Sequence, residues 1–282
     1  MSNDKKTYEE LIHLQKLLGE NQNKRVLINM VNVQFISANL LSVLGSILNS
    51  SANNNIIAFA NINTKIKRIM QRNGFNRYFK WENAQDRYNT TIKYTVFKAT
   101  TENLEEFERY LILNVFNRPE MPTMSNKVRD RIVDSFLEMF NNVIDHADSD
   151  SAYVCGQYFK KSGSLVISIV DVGKTIKENV SEYLQQEMGT NSLEWAVVQG
   201  NSTKSNTAPG GLGFSLLLEF IKLNKGEFSL VSADECYEVN SKGERFYYLD
   251  GSFQGTIVTI TFNMHDDFAY ILKEEREEEI IF

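Results

Sequence analysis

The apolar residues between positions 125 and 147 recur every three or four positions, which is the spacing of one face of an α-helix. The residues on that face are Val128, Ile132, Phe136, Phe140, Val143 and Ile144. Ser125 stands immediately before them and can accept a hydrogen bond from a free N–H group of the first turn. The polar cluster Asp148-Ser-Asp150 follows them. We therefore predict a long amphipathic helix that starts after Ser125 and ends before Asp148.

Short apolar runs alternate with helical spacing in the first ninety residues. Apolar runs predict strands at 25–30 and 56–60, and the spacing of leucines and isoleucines predicts helices at 40–48 and 66–73. The second of these helices ends at Asn73-Gly74. Thr7-Tyr-Glu-Glu10 has the pattern of a capping box and predicts an earlier helix that starts there. Strands that alternate with short helices indicate an α/β layer with parallel pairing.

A second group of strands and helices is predicted after residue 90. Alternating or continuous apolar runs mark the strands, and spacings of three and four mark the helices. The predicted elements are strands at 92–96, 152–158, 165–170 and 255–262, and helices at 104–115, 193–198 and 212–220.

Composition limits the class of protein. The chain has 282 residues, of which 42% are hydrophobic and 23% charged, as is ordinary for a globular protein of two domains or one large one. Its net charge of −6 argues against nucleic acid as a partner. Cys155 and Cys236 are too few for a disulfide framework and lack metal-ligand spacing, so we expect a protein of the reducing cytoplasm. The first residues lead into no apolar segment, and no run approaches about 20 apolar residues, so we expect no membrane span.

Three polar residues share one face of the long predicted helix. Glu138, Asn142 and His146 follow one another at intervals of four residues, so they lie one above the other. A carboxylate and a carboxamide one turn apart can activate a water and hold a hard cation through oxygen ligands. An ordinary solvated helix face has the same spacing, and the helix alone does not decide between the two interpretations.

Two further motifs lie at the ends of predicted elements. Asp171 ends a buried strand and precedes Val172-Gly173. Such a carboxylate can accept a hydrogen bond from an exocyclic amine while the glycine leaves room for a flat ligand. An ordinary Asp-x-Gly turn is the alternative. Pro209-Gly-Gly-Leu-Gly213 precedes an apolar helix, where free N–H groups and the helix dipole favour an anion. The polar segment 177–209 between these motifs suggests a lid.

Taken in order, these motifs resemble the GHKL nucleotide-binding fold of gyrase, heat-shock chaperones, histidine kinases and mismatch-repair proteins, over residues 100 to 262. The resemblance implies ATP and Mg²⁺ as cofactors. Glu138 would be the catalytic general base, and Asn142 would coordinate the Mg²⁺ that bridges the phosphates. Asp171 would accept from the adenine amine with Gly173 beneath the base, and Thr256 would stand near the adenine with a water. The residues implied beside the triphosphate, at the helix entrance, are Gly211, Leu212 and Gly213.

The chain departs from the family pattern in several places. Thr175 stands where the family motif Asp-x-Gly-x-Gly has its second glycine, and Phe214 replaces a leucine. Asp145 stands where sensor histidine kinases commonly have a basic residue, and there the chain is similar to the topoisomerases. The phosphoacceptor motif of those kinases is missing, since His13 and His265 have neither its neighbours nor a dimerisation hairpin. We therefore do not expect an autophosphorylating histidine kinase.

An earlier part of the chain, residues 25 to 80, resembles a STAS domain, the fold of anti-sigma-factor antagonists. The segments that carry the resemblance are Val33–Leu41, Ile56–Ala60 and Lys67–Phe75. In the antagonists a strand ends in an Asp-Ser-Ser-Gly turn whose second serine is phosphorylated. The matching positions here are Ser37-Ala-Asn-Leu40, with Asn39 in the place of that serine and Ser37 as a weak substitute. A structural or docking domain is the alternative interpretation.

The expected architecture is α/β throughout. It comprises a STAS-like domain at 1–88, a GHKL (Bergerat) α/β sandwich at 89–265 with helices on one face of a mixed sheet, and an acidic tail at 266–282. The first functional hypothesis is a Mg-ATP-binding ATPase or serine/threonine protein kinase of bacterial partner switching, with a STAS-type or other regulatory protein as its partner. The second is a non-catalytic switch in which ATP orders the lid and controls docking of a partner or second subunit. The third is an interaction protein with a vestigial site. Homodimerisation is an open alternative, and neither nucleic acid nor a membrane is expected as a partner.

Overall fold

A computed structural model of the chain describes residues 1–51, 54–79, 81–186, 192–198 and 215–278. The α-helices in these ranges are α1 (Lys5–Glu20), α2 (Leu40–Ser51), α3 (Thr64–Asn73), α4 (Leu104–Leu111), α5 (Asn126–His146), α6 (Ile176–Leu184), α7 (Ser192–Val197), α8 (Ser215–Asn224) and α9 (Lys273–Glu278). The strands are β1 (Lys24–Asn29), β2 (Asn55–Ala60), β3 (Thr91–Lys98), β4 (Ser151–Phe159), β5 (Ser164–Asp171), β6 (Glu227–Asn240) and β7 (Gly243–Asn263). The predicted α/β class is confirmed.

The larger sheet has the strand order β3-β4-β5-β7-β6, and all four pairings among these strands are antiparallel. The prediction of a mixed sheet is therefore wrong. Strands β5 and β6 run in the same direction, and the chain between them contains helices α6, α7 and α8. A connection of this length with helices is usual between parallel strands. However, β7 lies between them and pairs with both in the opposite direction.

Helices α4, α5 and α8 cover one face of this sheet, which we call the front face. Leu165, Ile167 and Ile169 of β5 point to it and share a hydrophobic cluster with these helices. Aromatic rings fill the interior of the cluster, where Phe107 of α4 stacks on Phe140 of α5 with ring centroids 4.8 Å apart. Because residues of a strand point alternately to opposite faces, the intervening residues of β5 point away from these helices.

The opposite, back face of the sheet is covered by residues 1–79, which we call the N-terminal unit. Helices α1 and α2 pack on β7, β4 and β5. A second hydrophobic cluster combines side chains of this unit, such as Leu41 and Ile47, with Tyr153 and Val170 of the sheet. Helices thus lie on both faces of the sheet. The prediction that helices cover one face holds only for α4, α5 and α8, which follow β3 in the chain. The N-terminal unit has its core in common with the sheet.

Within the N-terminal unit, β1 and β2 pair in parallel, as predicted. Helix α3 ends at Asn73, and Gly74 follows in the left-handed conformation, also as predicted. The predicted capping box at Thr7 is wrong. The N-cap of α1 is Asp4, whose side chain accepts a hydrogen bond from the Thr7 N–H at 2.9 Å, and the helix begins two residues before Thr7.

The turn that precedes α2 lies against the back of the sheet. Asn39 is fully buried, and its amide nitrogen donates to Oγ of Ser168 on β5 at 2.9 Å. The Ser37 hydroxyl is also buried and donates to Asn39 Oδ1. Asn39, the residue that the STAS resemblance would place at the phosphorylated serine, therefore forms an internal contact between the N-terminal unit and the sheet.

The predicted acidic tail packs on the body of the protein over its described part. Tyr270 lies against Phe220 of α8, with ring centroids 4.7 Å apart. Glu275 accepts a hydrogen bond at 2.7 Å from Ser125, the residue before α5. None of the helices in the described ranges combines the length and apolar character needed to cross a bilayer.

Candidate functional site

Helix α5 begins as the sequence predicts. Its N-cap is Ser125, whose hydroxyl oxygen accepts a hydrogen bond from the Val128 N–H at 3.2 Å. The predicted apolar residues point to the front cluster. Glu138, Asn142 and His146 are each partly buried. The helix therefore holds these three polar side chains in a row beside the core, at intervals of about 6 Å along its axis.

The last turn of α5 contacts the loop that follows Asp171. The Lys174 N–H donates to the carbonyl oxygen of Ala147 at 2.5 Å, and Asn179 of α6 donates to the carbonyl oxygen of His146 at 3.0 Å. Gly173 lies so close to this turn that a Cβ atom there would overlap the Ala147 carbonyl oxygen. Only glycine fits this approach of loop to helix without displacing one of them.

Asp171 is the last residue of β5 and is 96% buried. It pairs in register with Thr256 of β7, so the two predicted adenine-side residues are neighbours on adjacent strands. Burial raises the pKa of the Asp171 carboxyl group to about 8, and hydrogen bonds from the Thr256 side chain and backbone oppose that rise. One carboxyl oxygen, Oδ1, is buried and accepts no hydrogen bond. An acceptor of this kind is costly to leave unused.

Asn142 presents a second unpartnered group. Its amide nitrogen is buried and donates no hydrogen bond. A carboxamide offers two donor hydrogens on nitrogen and an oxygen that can bind a hard cation. Asn142 is one helical turn before His146, whose carbonyl oxygen bonds α6. The unpartnered amide nitrogen of Asn142 and the unpartnered Oδ1 of Asp171 thus belong to the helix and the strand that meet at the loop after Asp171.

Thr175 has a role that the sequence analysis missed. It is the N-cap of α6 and forms a capping box, in which its hydroxyl accepts from the Glu178 N–H at 3.2 Å and Glu178 Oε2 accepts from the Thr175 N–H at 2.6 Å. The residue that the GHKL resemblance would place at the second glycine of its motif therefore starts a helix. The segment predicted as a lid from residue 177 begins within α6, which Asn179 bonds to the end of α5. The local pattern Thr175-x-x-Glu178 was available in the sequence.

A second residue missed by the sequence analysis is Glu235 on β6. Its buried carboxylate accepts hydrogen bonds from the Ser192 N–H at 3.2 Å, the Ser192 hydroxyl at 3.0 Å and the Leu193 N–H at 2.8 Å. These groups form the first turn of α7, a short helix predicted at this place. Glu235 therefore fixes α7 to the sheet, and no sequence pattern links the two segments.

The structure brings together one part of the predicted site. Asp171, Gly173 and Thr256 meet where the pairing of β5 with β7 ends, beside the last turn of the helix that carries Asn142 and, one turn earlier, Glu138. Three predicted residues, Gly211, Leu212 and Gly213, lie outside the described residues. The helix predicted after them is present as α8, with Leu217 and Phe220 buried.

The described residues do not form a metal site from protein side chains alone. No three His, Cys, Asp or Glu side chains come together in this part of the chain. A nucleotide-bound Mg²⁺ takes most of its ligands from phosphates and water and needs only one or two protein oxygens. The carboxamide oxygen of Asn142 is a ligand of the required kind, whereas the unpartnered atom of this side chain is its amide nitrogen, which can donate to a phosphate oxygen but cannot bind a cation.

Comparison with known proteins adds no family assignment. No protein-family model and no curated protein matches the sequence.

Proposed function

We propose that this chain is a Mg-ATP-binding protein of the GHKL type, acting in the cytoplasm as an ATPase or a serine/threonine protein kinase in bacterial partner switching. The observation that carries the proposal is the buried, unpartnered Oδ1 of Asp171 beside Gly173. An exocyclic amine is a donor that would satisfy this oxygen, and adenine carries one.

The remaining groups fit the other end of such a ligand. Asn142 would contribute its carboxamide to the binding of Mg²⁺ and phosphate oxygens, and bound Mg²⁺ would neutralise phosphate charge. Glu138, one turn earlier on α5, would accept the proton of the attacking water or of a partner's hydroxyl group. Gly211, Leu212 and Gly213 remain the residues proposed beside the triphosphate, and Thr256 remains proposed near the adenine.

A calorimetric titration with ATP at pH 8, with and without Mg²⁺, tests this function. We expect the wild-type chain to bind Mg-ATP and Asp171→Asn to bind it about ten- to a hundredfold more weakly, because a hydrogen bond to a charged group contributes about 1.5–3 kcal/mol. The matched control is Asp134→Asn, which changes an exposed aspartate of α5 and should leave affinity unchanged. Failure of the wild-type chain to bind adenine nucleotides would overturn the proposal.

A second candidate function is a switch without catalysis, in which ATP binding changes the docking of a regulatory protein or of a second copy of the chain. The observation that favours it is the contact between the N-terminal unit and β5, since Asn39 bonds Ser168 three residues before Asp171. A displacement of Asp171 on nucleotide binding would therefore be transmitted along β5 to the contact with the N-terminal unit on the back face. Incubation with labelled ATP, Mg²⁺ and cell extract separates the candidates. Label on a partner that is lost in Glu138→Ala supports the kinase, and nucleotide-dependent docking without label supports the switch.

A further inference from the structure

Strand β7 has a two-residue bulge beside the candidate site. On β6, Ser232 pairs with Thr256, but the next residue, Ala233, pairs with Phe253. Gln254 and Gly255 therefore have no ladder partner on β6, and the pairing of β7 with β5 stops at Thr256. A bulge leaves backbone groups outside the ladder and redirects a side chain.

Helix α1 supplies the backbone partners that Gln254 lacks. The side-chain oxygen of Gln15 accepts from the Gln254 N–H at 2.8 Å, and the side-chain nitrogen of Gln15 donates to the Gln254 carbonyl oxygen at 3.1 Å. One amide side chain thus pairs with both backbone groups of one residue, much as a neighbouring strand would. Glu9 of α1 also accepts from the Asp250 N–H at 2.9 Å. The helix is therefore bonded to this part of β7 at two places.

The side chain of Gln254 reaches the loop after Asp171. Its amide nitrogen donates to the carbonyl oxygen of Gly173 at 3.0 Å and to Glu178 Oε2 at 3.4 Å. Glu178 is the residue whose carboxylate also accepts from Thr175. A single amide group on β7 therefore contacts both the glycine proposed beneath adenine and the first turn of α6.

We infer that Gln254 and Gln15 are positioning residues that hold the 172–175 loop in place for the nucleotide base. The inference rests on the proposed function and deepens it, because it makes the N-terminal unit part of what shapes the nucleotide site. Gly173 has no side chain with which to fix its own position. Its loop is held from the front by the bond between Lys174 and Ala147, and from the other side by Gln254. Gln254 acts through Gly173, and Gln15 acts through Gln254.

ATP titrations of four proteins test the inference. One neutral hydrogen bond contributes about 1 kcal/mol, so Gln254→Ala should weaken ATP binding about three- to tenfold. Gln15→Ala should weaken it in the same direction. The double variant Gln15→Ala/Gln254→Ala should bind like Gln254→Ala alone, because Gln15 has no route to the loop once the Gln254 side chain is gone. Effects that simply add in the double variant would indicate two independent structural losses and overturn the inference.

Gln157→Ala is the matched control. Gln157 also joins the N-terminal unit to the sheet, since its side-chain oxygen accepts from the Ala38 N–H at 3.3 Å. It lies far along β4 from the site, because Gln157 pairs with Val166 whereas Asp171 pairs with Ala152. Gln157→Ala should leave the Kd for ATP within about twofold of the wild-type value, which corresponds to a change of at most about 0.4 kcal/mol in binding free energy. An equal loss of affinity in Gln157→Ala would show a general effect of loosening the N-terminal unit and would overturn the inference.

Hydrogen exchange without nucleotide gives a second readout. The Lys174 amide, bonded to Ala147, should exchange faster in Gln254→Ala and Gln15→Ala than in wild type, and at the wild-type rate in Gln157→Ala. Unchanged exchange in all three variants would overturn the inference. If the wild-type chain binds ATP and both positioning variants bind it equally well, the inference fails while the proposed function stands. If the wild-type chain does not bind ATP, the proposed function itself fails.

Discussion

Burial changes the acid–base behaviour of Asp171 more than its hydrogen bonds do. Loss of contact with water raises the pKa of its carboxyl group to about 8, although bonds from Thr256 act in the opposite direction. A ligand that donates a hydrogen bond to this group favours the ionised form. An amine donor that binds at Asp171 is therefore expected to displace the proton of this carboxyl group at neutral pH.

The free energy of unfolding of the nucleotide-free protein should depend on pH because of the Asp171 carboxyl group. The unfolded chain loses the Asp171 proton near the ordinary value of 3.8, whereas the folded protein keeps it until the pH approaches 8. The folded state therefore binds more protons in that window, and stability falls as the pH rises through it. We expect wild type to lose stability relative to Asp171→Asn between pH 5 and 8, by at most about 1.4 kcal/mol per pH unit. Urea unfolding of both proteins measures the difference, and parallel pH profiles would contradict the expectation.

Individual residues differ in how far the sequence predicts them. Asp171 and Asn142 were predicted because each stands at a recognisable place, a strand end and a helix face. Their burial and their unpartnered atoms were not predictable, since these depend on how α5 packs over β5. Gln254 and Glu235 were missed because their partners, Gln15 and Ser192, are distant in sequence and follow no pattern.

Among the secondary-structure elements around the site, those fixed by local sequence patterns were predicted, and those that depend on contacts between distant segments were not. Helices α3 and α5 were predicted together with their ends, because spacing and caps are local properties. The hairpin of β6 and β7 was missed, although alternating residues flank it, because its Ser241-Lys242 turn lacks the usual glycine or asparagine pair. The antiparallel sheet order was also beyond prediction, since it follows from the insertion of β7 between β5 and β6.

Removal of the Thr175 hydroxyl tests the start of α6. Thr175→Ala should destabilise the protein by about 1 kcal/mol, because the first turn of the helix loses a side-chain acceptor. Thr175→Ser keeps that acceptor and serves as the control. Chemical denaturation compares the three proteins, and equal stability of the alanine and serine variants would mean that the capping box contributes nothing.

On the scale of the whole molecule, the five-stranded sheet contributes side chains to two hydrophobic clusters, one on each of its faces. Gly45 of α2 lies where a Cβ atom would overlap the ring of Tyr94 on β3. That ring cannot easily move, since it is 98% buried and its hydroxyl group lies 2.7 Å from that of Tyr78. The absence of a side chain at Gly45 therefore allows the N-terminal unit to approach the back of the sheet.

Gly45→Ala should lower the stability of the whole chain by about 1–3 kcal/mol, the usual cost of overpacking a closely packed interior. Gly19→Ala is the matched control, because Gly19 is also helical but has no atom near the added Cβ, so stability should stay the same or rise slightly. Calorimetry of the three proteins measures the effect. A melting temperature for Gly45→Ala equal to that of wild type would show that α2 and β3 are less tightly packed than described.

The internal contact between Asn39 and Ser168 has a consequence for modification of the chain. Ser37, the nearest hydroxyl group at that turn, is 3% exposed and directed into the same buried pair. A phosphoryl group adds up to two negative charges and needs water or basic side chains around it. An enzyme that meets the folded chain would have no access to this hydroxyl, and only a chain whose first helices had come away from the sheet would offer it.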